Sequence, residues 1–470
     1  MGWRVCLAAL LSVVLFDASN QGMAEPNGVA SRPGPLKVSD NGRWLVYADG
    51  TPFFYLADTA WELFHRLKRE EAEAYLEKRA AQGFTVIQAV VLAEYDGLKT
   101  PNPYGHVPLQ GTDPTKPVEP YFQHVDYIVD RAARLGLTIG MLPTWGDKWN
   151  RKWGVGPEVF TPQNAEAFGA FLGRRYKDKP IIWILGGDRN PENEQHLAVI
   201  RAMAVGLKKG DAGNHLMTYH PQGGSNSSRW FHQDGWLSFN MFQSGHGKRD
   251  FPNDELTMAN YRLMPVKPTL DGEPRYEDHP INWKPANGWF DEADVRQAAY
   301  WSLLAGACGH TYGNHDIWQF FQPGRKPISS ARTPWQQAID QPGAWQMGHV
   351  RRLFESRPYP KLVPDQSVFV GDAGRGAEHA RAARAEDGSF LLAYLPTGKP
   401  MTLRMNVLGG AKVQAWWFDP RRGEAIAVGE YGNTGTVLFT PPREPRRNND
   451  WVLVLDDAAP GFAPPGRRVR

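Results

Sequence analysis

Short apolar runs alternate with amphipathic stretches along most of the chain. Apolar runs of this length predict buried strands, at residues 53–57, 85–92, 138–142, 181–185, 216–220, 237–241, 268–273 and 309–313. Between them, apolar residues recur every three or four positions, which predicts helices at 70–82, 122–135, 165–176, 195–207, 256–263 and 295–307. Alternation of strands and helices is typical of α/β folds, and eight strands predict a (β/α)8 TIM barrel. An open doubly wound sheet is the alternative, but no Gly-rich phosphate loop follows the first strand.

The regions flanking these elements have different patterns. Asn41-Gly42 is a strong hairpin signal, so residues 36–362 are predicted to form the barrel with an N-terminal β-hairpin. Short alternating runs without a helical period then predict an all-β sandwich over residues 363–457, with strands at 367–370, 389–394, 413–418, 436–439 and 450–455. Residues 458–470 are rich in Pro, Gly and Arg, which predicts a disordered tail.

The first 24 residues have the pattern of an export signal. Arg4 supplies positive charge, residues 5–16 are apolar, and Gly22-Met23-Ala24 offers small residues for cleavage. The apolar run is too short to span a bilayer. We therefore expect residues 1–24 to be a signal peptide and 25–35 a linker. The mature protein is expected in the periplasm or outside the cell, without insertion into a membrane.

Composition narrows the possible functions. The formal net charge of +3 over 470 residues gives no reason to expect a nucleic-acid partner. Of the two cysteines, Cys6 lies in the predicted signal peptide, so Cys308 has no intramolecular partner and no Cys-based zinc site is expected. No cofactor is predicted. The 18 tryptophans suggest either large cores or a cleft whose rings stack on sugars.

Polar and aromatic residues follow every predicted barrel strand, where active sites of such barrels lie. A structural barrel has no need of this composition. A Pro-rich loop at residues 98–120, longer than a usual connection, is expected to form one wall of the cleft. The candidate substrate-binding residues are Asp58, Trp61, Glu94, Tyr104, Trp145, Trp149, Arg189, His220, Arg275 and His315.

Two carboxyl groups at opposite sides of the barrel mouth are the candidate catalytic pair. Asp188 and Glu273 follow the fourth and seventh strands. Hydrolysis of a glycosidic bond needs one carboxyl group to protonate the leaving oxygen and another to attack or to activate water. Arg189 and Arg275 flank the pair and are expected to hold a carboxylate ionised or to bind an anionic sugar. Asp271 shares the strand face of Glu273 and competes with it for the role.

Each candidate also has a purely structural interpretation. Asp188 is a possible cap of the next helix, and Glu273 a possible surface partner of Arg275. Asp58 and Trp61 suit either sugar contacts or cap and core roles. Glu94 is expected to position substrate, to tune the pKa of the acid, or to be a surface charge. His220 and His315 are predicted to donate hydrogen bonds from the rim.

Several motifs together resemble one enzyme family. They are Tyr55-Leu56-Ala57-Asp58-Thr59-Ala60-Trp61-Glu62-Leu63, Pro103-Tyr104-Gly105, Leu185-Gly186-Gly187-Asp188-Arg189-Asn190 and Asp271-Gly272-Glu273-Pro274. Residues 36–360 with these motifs resemble the apiosidase-like glycoside hydrolases, family 140. The C-terminal part resembles the β-domain that often follows, sometimes labelled collagen-binding.

The resemblance implies a polysaccharide or oligosaccharide substrate, because characterised relatives cut apiose-linked side chains from the pectin rhamnogalacturonan II. It also implies a retaining mechanism, with Asp188 as acid/base and Glu273 as nucleophile.

Two other functional classes remain open at this stage. A metal-dependent barrel hydrolase would use residues such as His310, His315 and Asp316 as ligands. No His-x-His follows the first strand, and no His-Glu-x-x-His occurs. A non-catalytic protein that binds glycans or matrix is the other alternative, and the intact carboxylate pair argues against it.

Overall fold

The computed structural model describes Met1 and residues 34–467. Residues 2–24 of the predicted signal peptide and residues 25–33 of the predicted linker lie outside this described range. The first element is a hairpin of β1 (Leu36–Val38) and β2 (Leu45–Tyr47), which pair antiparallel. Asn41 and Gly42 lie in its connecting loop, as the turn signal predicts.

Eight parallel strands follow and close into a barrel. They are β3 (Tyr55–Thr59), β4 (Val86–Leu92), β5 (Thr138–Thr144), β6 (Ile181–Gly186), β7 (Met217–His220), β9 (Asn240–Gln243), β10 (Thr269–Asp271) and β11 (Gly309–Tyr312). One further short strand, β8 (Ser225–Asn226), lies between β7 and β9 in the chain and pairs antiparallel with β9. Six form one sheet in the order β11-β3-β4-β5-β6-β7, and β9 pairs with β10. Two seams close the ring: Ser238 N donates to Met217 O (2.8 Å), and Cys308 N donates to Thr269 O (2.9 Å). The predicted TIM barrel is therefore confirmed.

Helices cover the outside of the barrel, and each predicted helix is present within a few residues. The helices are α1 (Leu63–Arg66), α2 (Arg69–Ala81), α3 (Glu119–Arg134), α4 (Pro162–Tyr176), α5 (Glu194–Asp211), α6 (Ser228–Phe231), α7 (Asn253–Tyr261), α8 (Glu292–Leu304), α9 (His315–Trp318), α10 (Trp335–Ala338) and α11 (Pro342–Glu355). Their starts follow local sequence: Asn193 and Asp291 accept backbone N–H groups at the beginnings of α5 and α8.

The C-terminal part is an antiparallel β-domain. Its strands are β12 (Leu362–Pro364), β13 (Arg381–Ala385), β14 (Phe390–Leu395), β15 (Met401–Arg404), β16 (Lys412–Asp419), β17 (Glu424–Gly432), β18 (Thr436–Phe439) and β19 (Trp451–Asp457). Six of them pair in the order β12-β13-β14-β19-β16-β17, and β15 pairs with β18. Leu391, Leu403 and Trp417 belong to the apolar core that the two sheets share, so the predicted sandwich is confirmed.

The strand predicted at 367–370 is wrong. Residues Gln366–Val368 form a 3-10 turn, and Phe369 makes one isolated bridge to Leu403. The Asp365 side chain accepts the Ser367 N–H at the start of this turn (3.0 Å). Such a side chain-to-backbone bond competes with strand pairing.

Buried ion pairs join the β-domain to the barrel. Arg296 on α8 binds Asp450 through two nitrogens (2.9 and 2.7 Å). Arg357 after α11 binds Asp456 in the same way (2.8 and 2.7 Å). All four side chains are almost completely buried. Geometry of this bidentate kind fixes orientation as well as distance.

The tail predicted to be disordered is ordered over residues 458–467. The Phe462 ring packs against the Phe390 ring (centroids 6.2 Å apart) and under the Arg357 guanidinium (4.9 Å). Gly466 N donates to Ser356 Oγ (3.1 Å). The packing of Phe462 at the domain boundary explains why this segment is ordered although its composition predicts disorder. Residues 468–470 lie outside the described range.

Candidate active site

A cleft of about 550 Å³ opens at the carboxyl ends of the barrel strands. All eight barrel strands contribute lining residues from the segments that follow them. A cavity of this size can hold one or two sugar residues of an oligosaccharide. Of the residues singled out from sequence, the lining includes Trp61, Glu94, Trp145, Asp188, Glu273 and His315.

The Asp188 side chain reaches the cleft because the chain turns sharply after β6. Gly186, Gly187 and Asp188 have φ values of 97°, 82° and 57°, all in the left-handed region. A Cβ on Gly186 would lie 2.4 Å from the His220 carbonyl oxygen, so only glycine fits there. Helix α5 begins later and is capped by Asn193. Asp188 is therefore not a helix cap.

Asp188 is held in a form that favours protonation. Its side chain is about 20% exposed, towards the cleft. Burial and the negative charge of Glu273 raise the pKa of Asp188 to about 6, against the opposing effect of the Arg189 guanidinium. Trp153 Nε1 also donates to Asp188 Oδ2 (3.3 Å). A carboxyl group with this pKa can donate a proton in mildly acidic solution.

Glu273 has the opposite character. Two imidazoles flank its carboxylate: His246 Nε2 lies 3.0 Å from Oε1, and His220 Nε2 lies 3.1 Å from Oε2. Burial opposes ionisation, but the polar contacts with His220 and His246 outweigh it and lower the pKa of Glu273 to about 2. The side chain is only 9% exposed. The Glu273 side chain is therefore a carboxylate anion inside the cleft.

His220 connects the two carboxyl residues. The Asp188 backbone N–H donates to His220 Nδ1 (3.1 Å), so Nδ1 is an acceptor. That contact favours the tautomer with the proton on Nε2, the nitrogen that faces Glu273. His220 does not line the cleft. The predicted role of His220 as a rim donor to sugar is therefore corrected: it positions Glu273.

Glu94 is a third carboxyl group in the cleft. Burial and the charges of Asp188 and Asp147 raise the pKa of Glu94 to about 8. At neutral pH it is a hydrogen-bond donor rather than a surface charge. The sequence left this choice open. In the structure Glu94 lines the cleft, and the charge of Asp188 acts on its carboxyl group.

Aromatic residues form both the floor and the rim. Trp61 and Trp145 are nearly buried, with ring centroids 5.2 Å apart, and Trp61 Nε1 donates to Tyr276 OH (3.1 Å). Trp153 and Trp283 line the same cleft but are 37% and 53% exposed. Sequence reasoning did not select these two. The tryptophan-dense segment 145–153 was the available signal for the first.

Two candidates named from strand ends have structural roles instead. Asp58 is completely buried behind the barrel wall, where it accepts hydrogen bonds from Arg79 Nε (2.6 Å) and Tyr75 OH (2.5 Å). It faces helix α2, because side chains alternate along a strand. Trp149 is buried and donates to Gly186 O (3.0 Å). Both predictions of substrate contact are corrected.

Three further candidates for sugar binding do not line the cleft. Tyr104 is exposed outside the cleft lining, and its hydroxyl accepts the Arg69 N–H (3.0 Å). Arg189 is fully buried behind Asp188, where its Nη1 donates to the Asp188 carbonyl (2.8 Å). Arg275 is fully buried and donates to the carbonyls of Asp294 (3.3 Å) and of a neighbouring loop, not to Glu273.

His315 lines the cleft but has no free ring nitrogen for a sugar. Its Nε2 donates to Ser329 O (3.0 Å), and its Nδ1 accepts from Trp318 Nε1 (3.2 Å). The competitor Asp271 is completely buried and accepts from Ser244 Oγ (2.7 Å). Glu273, not Asp271, is therefore the carboxylate of the cleft.

The described part of the chain contains no group of three or more His, Cys, Asp or Glu side chains placed to hold a metal ion. His310, one of the alternative ligands, is buried with Nδ1 3.3 Å from Ser302 Oγ. Within residues 34–467, no helix is both long and apolar enough to cross a membrane.

A family model described as "Apiosidase-like, catalytic domain" matches residues 39–361. The chain belongs to the apiosidase-like family. A second model, "Putative collagen-binding domain of a collagenase", matches residues 363–456, the β-domain. A search of curated protein sequences found no match.

Similar solved structures are described as glycoside hydrolases. A protein titled "Glycoside hydrolase" is 36% identical, with a TM-score of 0.84, and the match covers 91% of this chain and 98% of that one. A structure titled glycoside hydrolase family 5 from Bacteroides vulgatus ATCC 8482 is 34% identical, with a TM-score of 0.85 and coverage of 92% and 94%. A third, from the same organism, is 16% identical with a TM-score of 0.66 and supports the fold alone. This apiosidase-like chain is a glycoside hydrolase that acts on glycans.

Proposed function

We propose that this glycoside hydrolase cleaves apiose-containing side chains of pectic rhamnogalacturonan II with retention of configuration, outside the cytoplasm. The mechanistic part rests on one observation. Asp188 and Glu273 line one cleft, and their environments drive their pKa values apart, to about 6 and about 2. Opposed values of this kind support Asp188 as the acid and Glu273 as the nucleophile.

In the first step, the Glu273 carboxylate attacks the anomeric carbon. The bond from that carbon to the leaving oxygen breaks, and Asp188 gives its proton to that oxygen. A covalent glycosyl-enzyme forms on Glu273. In the second step, Asp188 takes a proton from water, the resulting hydroxide attacks the anomeric carbon, and Glu273 leaves as a carboxylate. Asp188 ends protonated, as it began.

The surrounding residues keep Glu273 ionised and Asp188 protonated before the first step. His246 and His220 hold the Glu273 carboxylate ionised and fix its direction. The charge on Glu273 in turn keeps Asp188 protonated. Once Glu273 is esterified, that charge is gone, so the pKa of Asp188 falls and it becomes a base for water. This change of role is what a retaining enzyme requires of its acid/base.

The substrate part of the proposal has a different basis. Membership of the apiosidase-like family supports an apiose-containing glycan. The aromatic floor and rim of the cleft are suited to the apolar faces of sugar rings. The signal pattern in residues 1–24 supports export to where pectin fragments are found.

Product analysis tests the proposal. Purified protein is incubated with a plant glycan panel that includes rhamnogalacturonan II oligosaccharides, with Glu273→Gln in parallel. We expect the wild type alone to release an apiose-terminated side chain. Proton NMR of the first-formed product should show the anomer of the substrate; the opposite anomer would refute the retaining mechanism.

Other results have distinct meanings. Cleavage of a different glycan, abolished in Glu273→Gln, would keep the catalytic pair and refute the substrate. Unchanged turnover in Glu273→Gln would refute the nucleophile. Silence across the panel would favour a protein that only binds glycans.

A further inference from the structure

Trp153 is an exposed indole built into the acid side of the cleft. Its ring is 37% exposed and lines the cavity, although a side chain of this size is normally buried. Its Nε1 donates to Asp188 Oδ2 (3.3 Å). The indole therefore lies next to the group that delivers a proton to the leaving oxygen.

One buried guanidinium holds both the acid and this indole. Arg189 lies 3.9 Å from the centre of the Trp153 ring and donates to the Trp153 carbonyl. The same side chain donates to the Asp188 carbonyl (2.8 Å) and lies 3.3 Å from Asp188 Oδ2. Arg189 covers one side of the indole, so its exposed area faces away from that support. Acid, guanidinium and indole form one rigid unit.

The loop that carries Trp153 is fastened at several points. Gly156 N donates to the buried Asp147 Oδ2 (2.7 Å), and Arg151 N donates to Glu158 Oε1 (2.6 Å). Lys152 pairs with Glu192 (2.6 Å) across the gap to the segment after β6. An exposed indole held this firmly loses little conformational freedom when a flat apolar surface packs on it.

Building on the proposed function, we propose that Trp153 is the stacking platform for the sugar ring on the leaving-group side of the scissile bond. The acid must face the leaving oxygen, and the sugar attached to that oxygen must extend past the acid. Trp153 is the exposed aromatic surface in contact with Asp188. The other exposed indole of the cleft, Trp283, lies beside His246 on the Glu273 side (ring centroids 5.7 Å apart).

The test compares two substrates that both have apiose on the glycone side of the scissile bond but differ in the leaving group. In the rhamnogalacturonan II oligosaccharide the leaving group is a sugar. In apiosyl fluoride the leaving group is a fluoride ion, which needs neither a stacking platform nor a proton from the acid. We expect Trp153→Ala to lower kcat/KM on the oligosaccharide by about 10-fold or more, mainly through KM, and to change the fluoride reaction by less than about 3-fold. Trp345→Ala, at an indole of similar exposure outside the cleft, is the control and should change neither.

Trp153→Phe separates stacking from the hydrogen bond to the acid. It retains an aromatic face, so KM on the oligosaccharide should stay within about 3-fold of wild type. It loses the Nε1 donor that stabilises ionised Asp188, so the alkaline limb of the pH profile should move to higher pH. A mere folding role for Trp153 would not produce this split.

Each remaining outcome is decisive. Equal losses on both substrates, or no loss on the oligosaccharide, would overturn the platform. Wild-type activity is measured first: if it cleaves neither substrate but another glycan of the panel, the proposed substrate fails, and the comparison is made with that glycan and its glycosyl fluoride. Silence of the wild type on every glycan would overturn the proposed function and this inference together.

Discussion

Replacing His246 with phenylalanine removes one of the two imidazoles that hold Glu273 ionised. The fall in the pKa of Glu273 from its ordinary 4.5 to about 2 corresponds to about 3 kcal/mol in favour of the carboxylate. Burial acts against the imidazoles, so their combined contribution exceeds this net shift. If the two contribute equally, losing His246 should move the pKa of Glu273 more than half of the way back to its ordinary value. Phenylalanine keeps the ring that stacks on His279.

The assay is kcat/KM between pH 2.5 and 7, with circular dichroism at each pH to confirm that the protein stays folded. Glu273 must be ionised to attack, so its pKa sets the acid limb. We expect this limb of His246→Phe to move to higher pH by more than about one unit. His279→Phe is the matched control, because His279 lines the cleft without bonding Glu273. An acid limb identical to wild type would refute the role assigned to His246.

Three further predictions concern the whole molecule. In wild type, Glu273 must be ionised (pKa about 2) and Asp188 protonated (pKa about 6). The pH profile of kcat/KM should therefore be bell-shaped with an optimum near pH 4. A flat profile from pH 4 to 8 would contradict the assignment of these two residues as the catalytic pair. Arg296→Met leaves Asp450 as a buried unpaired charge and should lower the free energy of unfolding in urea by about 3–5 kcal/mol, whereas a loss below ~1 kcal/mol would show that the interface is not tightly closed. Asp58→Asn should cost a similar ~3–5 kcal/mol while leaving KM of the folded enzyme unchanged, and a raised KM would restore Asp58 as a substrate contact.

The barrel was predictable because its strands are buried on both faces. A segment such as Val86–Leu92 is apolar at every position except Gln88, and the helices between strands show their own period. In the β-domain the signal is weaker. Arg381–Ala385 is a central strand without one β-branched residue, so its sequence does not indicate a strand although its neighbours enforce one.

The site was predictable in part, for a related reason. Position after a strand identified Asp188 and Glu273, since the carboxyl ends of barrel strands meet at one mouth. The same rule failed for Asp58, because strand position does not tell which side of the wall a side chain faces. His246 and Trp153 lie in the segments after β9 and β5, and the direction of their side chains depends on contacts with residues distant in sequence.

The paired arginines at the domain boundary decide how the molecule can be divided. A shortened chain that ends just before β12 would expose apolar surface and leave Arg296 and Arg357 without their carboxylate partners. The β-domain is thus a structural part of the hydrolase rather than a module on a tether. It cannot swing to search for a separate anchoring site, and exchange of domains between relatives should succeed only when both carboxylates, Asp450 and Asp456, are transplanted with it.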